Sequence, residues 1–361
     1  MIYNNLILNS KIWNQLEVMV KNNTLPHAFI FHGPEGSGKE AHAIELAMLL
    51  NAQQDIKNIN FQNPNINLII PLPREKAINK KADSLKAISD KSLDLLIEMK
   101  KQKMKNPYNK IKFEKATSIL INSIRDIKKN IHTPINNESD YIVHLIFEAE
   151  KLCAPKTEPG NALLKILEEP PKKNIFILVT SEKNKLIDTI QSRCCEFYFP
   201  QLSKNDIIQY LNKYGNCETQ EIDLIIKLSN NNMTNILEMI ELDGQIQILK
   251  NDAINFIKNL IKDQGWEKNV KKIESLMKTK REMFKVFIRL VIFILNDLEK
   301  IKNKNRDCVI LTNITSTKDL NYIDAINIIE QYYTELNKNL NPSIGLFSMA
   351  VEMKKTMYKN K

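Results

Sequence analysis

The sequence predicts an α/β domain, built as a parallel five-stranded sheet flanked by helices, followed by a region that is wholly helical. Two observations favour this fold. Over the first 200 residues, short apolar runs of strand character alternate with helical patterns, which is typical of a parallel sheet covered on both faces. After Ser203 the strand signals fade, and apolar residues recur at helical spacing. The predicted strands are residues 27–32, 66–70, 141–147, 175–180 and 196–199.

The same patterns divide the chain into three expected parts. An α/β domain covers residues 1–200, a small helical lid covers 201–243, and a helical C-terminal domain covers 244–361. Ser203 and Asp206 have the spacing of a capping box, which predicts a helix that starts after Ser203. The predicted helices before the second boundary are residues 11–22, 41–50, 113–131, 161–168, 204–213, 219–229 and 233–242.

The composition indicates a soluble protein of a reducing compartment. The formal net charge of +10 suits a protein that works beside nucleic acid or acidic partners, but it equally fits a chain that is rich in Lys, Asn and Ile throughout. The five cysteines contain no CxxC pair, so we expect buried thiols and no zinc. The start lacks a signal-peptide pattern, and the apolar stretch 290–295 falls far short of the roughly 20 residues of a membrane span. We therefore expect a cytoplasmic protein without a membrane partner.

A glycine-rich loop follows the first predicted strand. Residues 33–39 read GPEGSGK and lead into strong helix formers, which is the strand, loop and helix order of a phosphate-binding P-loop. Its backbone N–H groups and Lys39 would bind the phosphates of a nucleotide. Glu40 stands where the motif has a Ser or Thr that binds magnesium, so we expect nucleotide binding to be weak or less dependent on metal. The candidate nucleotide-binding residues are Gly33, Gly36, Ser37, Gly38, Lys39, Glu40 and Ser181.

A second nucleotide motif is expected at the end of the strand over residues 141–147. P-loop hydrolases place there an Asp that holds magnesium, often followed by a Glu that polarises water. Phe147 occupies the Asp position, and Glu148 is the remnant of the catalytic pair. Because a phenyl ring cannot bind magnesium, we expect no ATP hydrolysis by this chain. Glu148 and Glu150 also fit a simpler interpretation, two solvated acids in the first turn of a helix.

Ser181 and Arg193 are candidate residues outside these motifs. Ser181 follows a predicted strand, where a polar side chain could sense a γ-phosphate. An exposed Arg193 could reach a nucleotide held by a neighbouring subunit, because a planar, permanently charged guanidinium suits developing phosphate charge. A local ion pair with an acid is the alternative for Arg193. Glu168 and Glu169 oppose the dipole at a helix C-terminus, which hints at a basic partner, while solvation of both acids stays open.

A lysine-rich segment covers residues 73–112. We expect it to form a solvated helix and loop, and not a patch that contacts phosphate. Its closely spaced lysines are Lys100, Lys101, Lys103, Lys105, Lys110 and Lys112.

Several stretches resemble, in order and spacing, the clamp-loader branch of the AAA+ family of P-loop proteins. NALLKILEEPP followed by SRC is specific to that branch, and the resemblance covers residues 1–200. The matching stretches are LPHAFIFHGPEGSGK (25–39), SIRDIKKNI (123–131), IFEAEKL (146–152), NALLKILEEPP (161–171), FILVTS (176–181) and SRC (192–194).

Within that branch, a degraded metal site combined with a retained SRC arginine is similar to the delta-prime subunits of bacterial DNA polymerase III. The resemblance implies that Arg193 acts in trans on ATP held by an adjacent motor subunit, and that this chain binds ATP or ADP weakly at most. It implies gamma/tau and delta subunits as partners in a hetero-pentamer joined by a C-terminal collar. The beta sliding clamp and primed DNA would be indirect partners.

Two departures from the family pattern bear on this expectation. The four-cysteine zinc module of many relatives is missing, since no cysteine precedes Cys153, and residues 230–238 lack the second-sensor Arg of motor subunits. Two alternatives stay open. One is a working AAA+ ATPase, such as a motor subunit of gamma/tau type or a replication factor C homologue. The other is an unrelated P-loop enzyme such as a small-molecule kinase, which would leave NALLKILEEPP and SRC unexplained.

Overall fold

The computed structural model shows the chain as two compact units. The first unit comprises residues 1–216 and 231–234, and the second comprises residues 217–230 and 235–361. The expected three-part division, with boundaries after residues 200 and 243, stays a prediction. Within the two units, the structure describes residues 1–51, 61, 63–113, 115–130, 141–214, 219–242, 245–305, 307–311, 318–335 and 342–358.

The first unit contains the predicted sheet of five parallel strands. The strands are β1 (Ala28–His32), β2 (Ile66–Ile69), β3 (Ile142–Phe147), β4 (Asn174–Thr180) and β5 (Cys195–Tyr198). Their order across the sheet is β2-β3-β4-β1-β5, and each neighbouring pair is parallel. The predicted strands are therefore confirmed. Because the strands are parallel, the segments that follow β1, β3 and β4 all lie at the C-terminal ends of the strands, on the same side of the sheet.

Helices cover the sheet of the first unit, as predicted. The helix after Ser203 begins with the expected N-cap, since Oγ of Ser203 accepts from the N–H of Asp206 (3.1 Å) and donates to its carboxylate (2.6 Å). The helices of this unit are α1 (Ser10–Lys21), α2 (Lys39–Leu49), α3 (Asp90–Lys105), α4 (Ile121–Asn130), α5 (Glu158–Glu168), α6 (Asp188–Gln191) and α7 (Lys204–Tyr214).

Strand β1 is buried on both of its faces. Because successive side chains of a strand point to opposite faces, Phe29 and Phe31 join one apolar cluster, and Ala28 and Ile30 join another. The first cluster includes side chains of α1 and α2, and the second includes side chains of α4 and α5. The loop after β1 therefore connects a strand that is buried on both faces to a helix, α2, whose side chains are mostly buried.

One predicted helix is shorter than expected. The pattern over residues 113–131 predicts a single helix, but α4 begins only at Ile121, and residues 114 and 131 lie outside the described part of the chain. The N–H of Ile119 donates to the carbonyl of Lys151 (3.0 Å), and the ammonium of Lys151 donates to the carbonyl of Ala116 (2.8 Å). These tertiary bonds engage backbone groups that a helix would pair internally. The prediction is therefore wrong just before Ile121.

The secondary-structure elements described in the second unit are all helices, as expected for the C-terminal part of the chain. Its elements are α8 (Thr219–Leu228), α9 (Met233–Ile240), whose first two residues belong to the first unit, α10 (Gln245–Lys262), α11 (Trp266–Thr279), α12 (Arg281–Lys302), α13 (Tyr322–Glu335) and α14 (Pro342–Met357). Helix α12 packs against α10, α11 and α13, and α14 packs against α13. None of the helices described in either unit is long and apolar enough to cross a membrane.

Asp297, on α12, is fully buried and holds a segment of irregular backbone. Its carboxylate accepts from the N–H groups of Val309 (2.9 Å), Ile310 (2.6 Å) and Leu311 (3.0 Å). Since an unpaired buried N–H group is costly, this one side chain satisfies the backbone of three consecutive residues.

The cysteines of the described residues are free thiols. Cys153, Cys194, Cys195 and Cys308 are half-buried, so the prediction of buried thiols is wrong for these four. Cys217 lies outside the described residues.

Candidate functional site

The P-loop joins β1 to α2 through glycines with positive φ angles. A Cβ at Gly33 (φ 145°) would lie 2.0 Å from the carbonyl oxygen of Phe199, and one at Gly36 (φ 73°) would lie 2.2 Å from Oδ1 of Asn232. These two positions therefore require glycine. The loop is held on this path at the N-terminus of α2, where backbone N–H groups can receive a phosphate.

Lys39, the lysine of the motif, is buried in the first turn of α2. Its ammonium donates to the carbonyls of Gly33 (2.7 Å) and Pro34 (2.6 Å) and lies 3.5 Å from Oγ of Ser37 and 3.5 Å from Oγ of Ser181. Burial lowers the pKa of Lys39 to about 8. The structure thus brings the predicted residues Ser37, Lys39 and Ser181 together around one ammonium group.

Glu40, which takes the place of the magnesium-binding hydroxyl, is paired with a lysine. The ammonium of Lys103, on α3, lies 2.5 Å from Oε2 of Glu40. The side chain of Lys103 is 2% exposed, and that of Glu40 is 22% exposed. Burial lowers the pKa of Lys103, while the charge of Glu40 acts in the opposite direction. The side chain at the motif's magnesium-binding position therefore faces an ammonium group of the same chain.

The lysine-rich segment supplies two further lysines, Lys110 and Lys112, to the wall of the P-loop cavity. Lys110 lies 2.6 Å from Glu35 of the P-loop. Burial acts to raise the pKa of Glu35, but the charge and hydrogen bond of Lys110, together with the charges of Lys112 and Lys39, outweigh it and lower that pKa. The segment contains a helix and a loop, as predicted. Its interpretation as solvated is wrong for Lys103, which is buried, whereas Lys101 is exposed.

Phe147 and Glu148 lie at the C-terminal end of β3, where the second nucleotide motif is expected. Phe147 ends β3 and is buried in the core. Glu148 comes next, in the left-handed region (φ 49°), and its Oε2 lies 2.7 Å from the ammonium of Lys151 and 3.7 Å from that of Lys112. Its buried Oε1 has no hydrogen-bond partner among the described residues. Glu148 lines the cavity as an ion-paired acid.

Glu150 also lines the cavity, behind the end of β4. Its Oε2 accepts from the hydroxyl of Thr180 (2.6 Å). Burial raises the pKa of Glu150, and the Thr180 hydrogen bond opposes that shift. The interpretation of Glu148 and Glu150 as two solvated acids is therefore wrong for Glu150, which is 9% exposed.

The residues of this cavity do not fit a magnesium ion. Mg²⁺ requires oxygen ligands in near-octahedral geometry. Phe147 offers no oxygen, Glu40 is engaged by Lys103, and Glu148 is engaged by Lys151. Across the described part of the chain, no group of three or more His, Cys, Asp or Glu side chains is placed to hold a metal ion.

Arg193 lies between α6 and β5, with its side chain 36% exposed. Its Nη1 donates to the carbonyl of Thr189 (2.9 Å), and its Nη2 lies 3.2 Å from Oε1 of Glu168 at the end of α5. The local ion pair that the sequence left open is therefore present, and Arg193 is the basic partner of Glu168. Both side chains remain in contact with solvent, since Glu168 is 45% exposed.

His42 ties α2 to the segment that precedes α1. Its Nε2 accepts from the N–H of Asn9 (3.0 Å), so Nδ1 carries the proton and donates to the carbonyl of Gly38 (2.8 Å). Burial lowers the pKa of His42 to about 4. Between pH 6.5 and pH 4, His42 is therefore protonated in the unfolded chain and neutral in the folded chain. The stability that neutral His42 contributes is complete above pH 6.5 and is lost as the pH falls towards 4.

The variant His42→Gln is expected to lose less stability on acidification than the natural chain. The Gln amide offers one acceptor and one donor but does not titrate. Between pH 6.5 and pH 5, the free energy of unfolding should therefore fall by on the order of 2 kcal/mol less in the variant than in the natural chain. Urea unfolding at the two pH values measures this difference. His144, whose pKa burial also lowers to about 4, titrates in both proteins and provides the common background. Equal losses in the two proteins would contradict the role given to His42.

Sequence reasoning missed the residues that close the cavity over the P-loop. The carbonyl of Tyr108 accepts from the hydroxyl of Thr234 (3.0 Å), and the hydroxyl of Tyr108 accepts from the N–H of Ile7 (2.9 Å). No local pattern marks contacts between positions so far apart in the chain. The one available signal for this part of the site was the lysine cluster that includes Lys103 and Lys110. The sequence did not show that this cluster lies beside the P-loop, and the folded structure does.

Comparisons with known proteins lead to one family. A family model described as DNA polymerase III, delta subunit, matches residues 8–203. The tau subunit of DNA polymerase III from Bacillus subtilis is 29% identical over 197 residues, which are 55% of this chain and 29% of that protein. The gamma subunit from Buchnera aphidicola subsp. Schizaphis graminum is 36% identical over 137 residues, 36% of each chain.

Two further matches are longer and weaker. The gamma/tau subunit from Mycoplasma genitalium is 23% identical over 367 residues, 92% of this chain and 52% of that protein. A crystal structure of a gamma subunit-related protein from Thermotoga maritima matches with a TM-score of 0.45 and 14% identity, over 95% of this chain and 99% of the other. The chain spans about half the length, or less, of these curated relatives. Since the family model matches more than half of its residues, the chain belongs to the DNA polymerase III delta, gamma and tau family of clamp-loader subunits.

Proposed function

We propose that this chain is a clamp-loader subunit of delta-prime type, which does not hydrolyse ATP and which supplies Arg193 to ATP held by a neighbouring motor subunit. The observation that carries the proposal is where Arg193 lies relative to the chain's own P-loop. Arg193 precedes β5, whereas the P-loop follows the neighbouring parallel strand β1. At about 3.3 Å per residue, the two lie roughly 15 Å apart, at opposite ends of these adjacent strands. A phosphate that Arg193 contacts therefore belongs to another molecule.

The ion pair with Glu168 is compatible with this role. Because both side chains are partly exposed, their attraction is screened and contributes little to stability. A nucleotide phosphate carries more charge than Glu168 and can replace it as the partner of the guanidinium. Glu168 and the carbonyl of Thr189 meanwhile hold Arg193 in an extended position on the surface.

The misfit to magnesium supports the proposed absence of ATP hydrolysis. With Phe147 at the Asp position and Glu40 paired to Lys103, the described cavity offers no ligand set for the metal that P-loop hydrolases use. Glu148, the remnant of the catalytic pair, is held by Lys151 instead of facing water. Under this proposal, ATP or ADP binds to the chain weakly and is not turned over.

The proposed complex is the clamp loader of DNA polymerase III in the cytoplasm. Its other members are gamma/tau and delta subunits in a hetero-pentamer, joined by a collar formed by the helical C-terminal part. The assembly places the beta sliding clamp on primed DNA with ATP bound by the motor subunits, and this chain acts as arginine donor. No membrane and no zinc ion enters the scheme.

Replacing Arg193 by alanine tests the proposal in a loader reconstituted from all its subunits. We expect assembly to be unchanged and DNA-stimulated ATP hydrolysis to fall, because the adjacent motor site loses an arginine whose type contributes about 10³-fold or more in related phosphoryl transfers. The overall decrease is smaller, since the remaining motor sites keep their own arginines. Arg74→Ala, which removes an exposed arginine elsewhere in the same unit, is the matched control and should leave the rate near that of the unmodified loader. Unchanged hydrolysis in the Arg193→Ala loader would refute the role in trans.

A motor subunit of gamma/tau type is the second candidate, favoured by the names of the curated relatives. It predicts that the purified chain hydrolyses ATP by itself and that Lys39→Ala abolishes this activity. The delta-prime proposal predicts no turnover by the isolated chain and a much smaller effect of Lys39→Ala on the reconstituted loader.

A further inference from the structure

The lysine-rich segment places a cation where the P-loop motif normally has its metal. In that motif, the side chain after the P-loop lysine binds magnesium. Here that side chain is Glu40, and the ammonium of Lys103 lies 2.5 Å from its Oε2. Lys103 also lines the cavity together with Lys39. An ammonium group and a divalent cation cannot both be seated against the same carboxylate oxygen.

Lys103 is fixed in this place by a ring of hydrogen bonds. The hydroxyl of Tyr3 donates to the carbonyl of Lys103 (3.1 Å), and the N–H of Tyr3 donates to Oε1 of Glu45 (2.7 Å). Glu45 and Glu40 both belong to α2. The ring therefore runs from α2 through Tyr3 to Lys103 and back through Glu40 to α2, and it positions the ammonium relative to the P-loop itself.

The charged side chains that line the cavity favour binding of an anion that carries no metal ion. Its acids are each engaged: Glu35 by Lys110, Glu40 by Lys103, Glu148 by Lys151 and Lys112, and Glu150 by the hydroxyl of Thr180. Burial raises the pKa of Glu150, and the hydrogen bond from Thr180 opposes that shift. Lys39 is paired with no carboxylate in the described structure and bonds instead to the carbonyls of Gly33 and Pro34. Each acid of the cavity therefore already has a partner, while the ammonium of Lys39 remains available to an anion.

We propose that Lys103 takes the place of the magnesium ion, and that the P-loop cavity binds nucleoside diphosphates and triphosphates in their metal-free form. The ammonium of Lys103 bridges Glu40 and the terminal phosphates, and Lys39 leaves the two carbonyls to contact the phosphate chain. This inference rests on the weak nucleotide binding of the proposed function and is independent of the role of Arg193. It assigns the lysine-rich segment a part in ligand binding.

Calorimetric titration of the purified full chain with ADP and with ATP, once with excess Mg²⁺ and once with EDTA, tests the inference. We expect the two dissociation constants for each nucleotide to agree within about twofold. Lys103→Met should weaken binding about tenfold or more in both buffers, because it removes a charge-assisted contact to phosphate. Lys101→Met, at an exposed position on the same helix, is the matched control and should bind like the unmodified chain.

Two results would overturn the inference: binding that Mg²⁺ strengthens about tenfold or more, or no binding of either nucleotide in EDTA at millimolar concentration. The double variant Glu40→Thr with Lys103→Met guards against misfolding, because it removes both partners of the ion pair and introduces the usual hydroxyl. It should become dependent on Mg²⁺, and circular dichroism checks its fold. A double variant that stays indifferent to Mg²⁺ counts against the inference. The arginine role is read separately, from ATP hydrolysis by the reconstituted loader, so either idea can fail alone.

Discussion

Replacing Asp297 by alanine is expected to lower the free energy of unfolding of the helical unit by about 4 kcal/mol, since each buried N–H group left without a partner costs about 1–3 kcal/mol. Three such groups, those of Val309, Ile310 and Leu311, depend on this one carboxylate. Asp297→Asn keeps one acceptor oxygen but loses the charge, so it should cause roughly half of that loss. Urea unfolding measures both values.

Hydrogen exchange provides a local measurement of the same effect. In the Asp297→Ala variant, the amides of residues 309–311 should exchange faster than in the unmodified chain, because they become open to solvent. Asp307→Ala is the matched control, since Asp307 is exposed and lies in the same segment. Unfolding curves for Asp297→Ala that coincide with those of the control would show that the carboxylate does not hold the segment.

The second large effect is expected from Glu40→Ala. This change leaves the ammonium of Lys103 buried without a counter-charge, which costs about 3–5 kcal/mol of stability. Lys103→Met should cost less, because the carboxylate that it leaves behind is 22% exposed and can take up water. Urea unfolding of the two variants at pH 7 measures the asymmetry.

The pH dependence of the Glu40→Ala variant checks the cause. Deprotonation of Lys103 removes the unpaired charge, and burial already lowers the pKa of this group. The unfolded chain then holds a proton that the folded chain releases, so the stability of the variant should rise as the pH is raised above 7. A deficit that stays constant with pH, or equal losses in Glu40→Ala and Lys103→Met, would argue against a buried charge as its source.

Much of the α/β unit could be predicted because its sequence signals are local. Strand β1 is an uninterrupted apolar run, and the P-loop and the helix after it have a fixed order that the residues 33–39 display directly. Residues 113–120 were the exception in this unit. Their pattern favours a helix, but bonds to Lys151 compete for the same backbone groups, and these bonds depend on the folded structure.

The candidate site could be predicted only in its motif residues. Ser37, Lys39 and Ser181 lie together as expected, because the carboxyl ends of β1 and β4 adjoin in a parallel sheet. The pairing of Glu40 with Lys103 joins residues 63 positions apart, and no periodicity encodes it. The sequence suggested a basic partner for Glu168 and left an acidic partner open for Arg193. It did not show that these two residues form an ion pair with each other.

The hydrogen-bonded ring through Tyr3, Glu45 and Glu40 makes Lys103 a tethered cation. A dissociable ion occupies its site according to its concentration in solution, whereas a side chain fixed by the fold has a constant local concentration. Chelators and fluctuating ion levels therefore leave this positive charge in place as long as the surrounding α/β unit stays folded and Lys103 stays protonated.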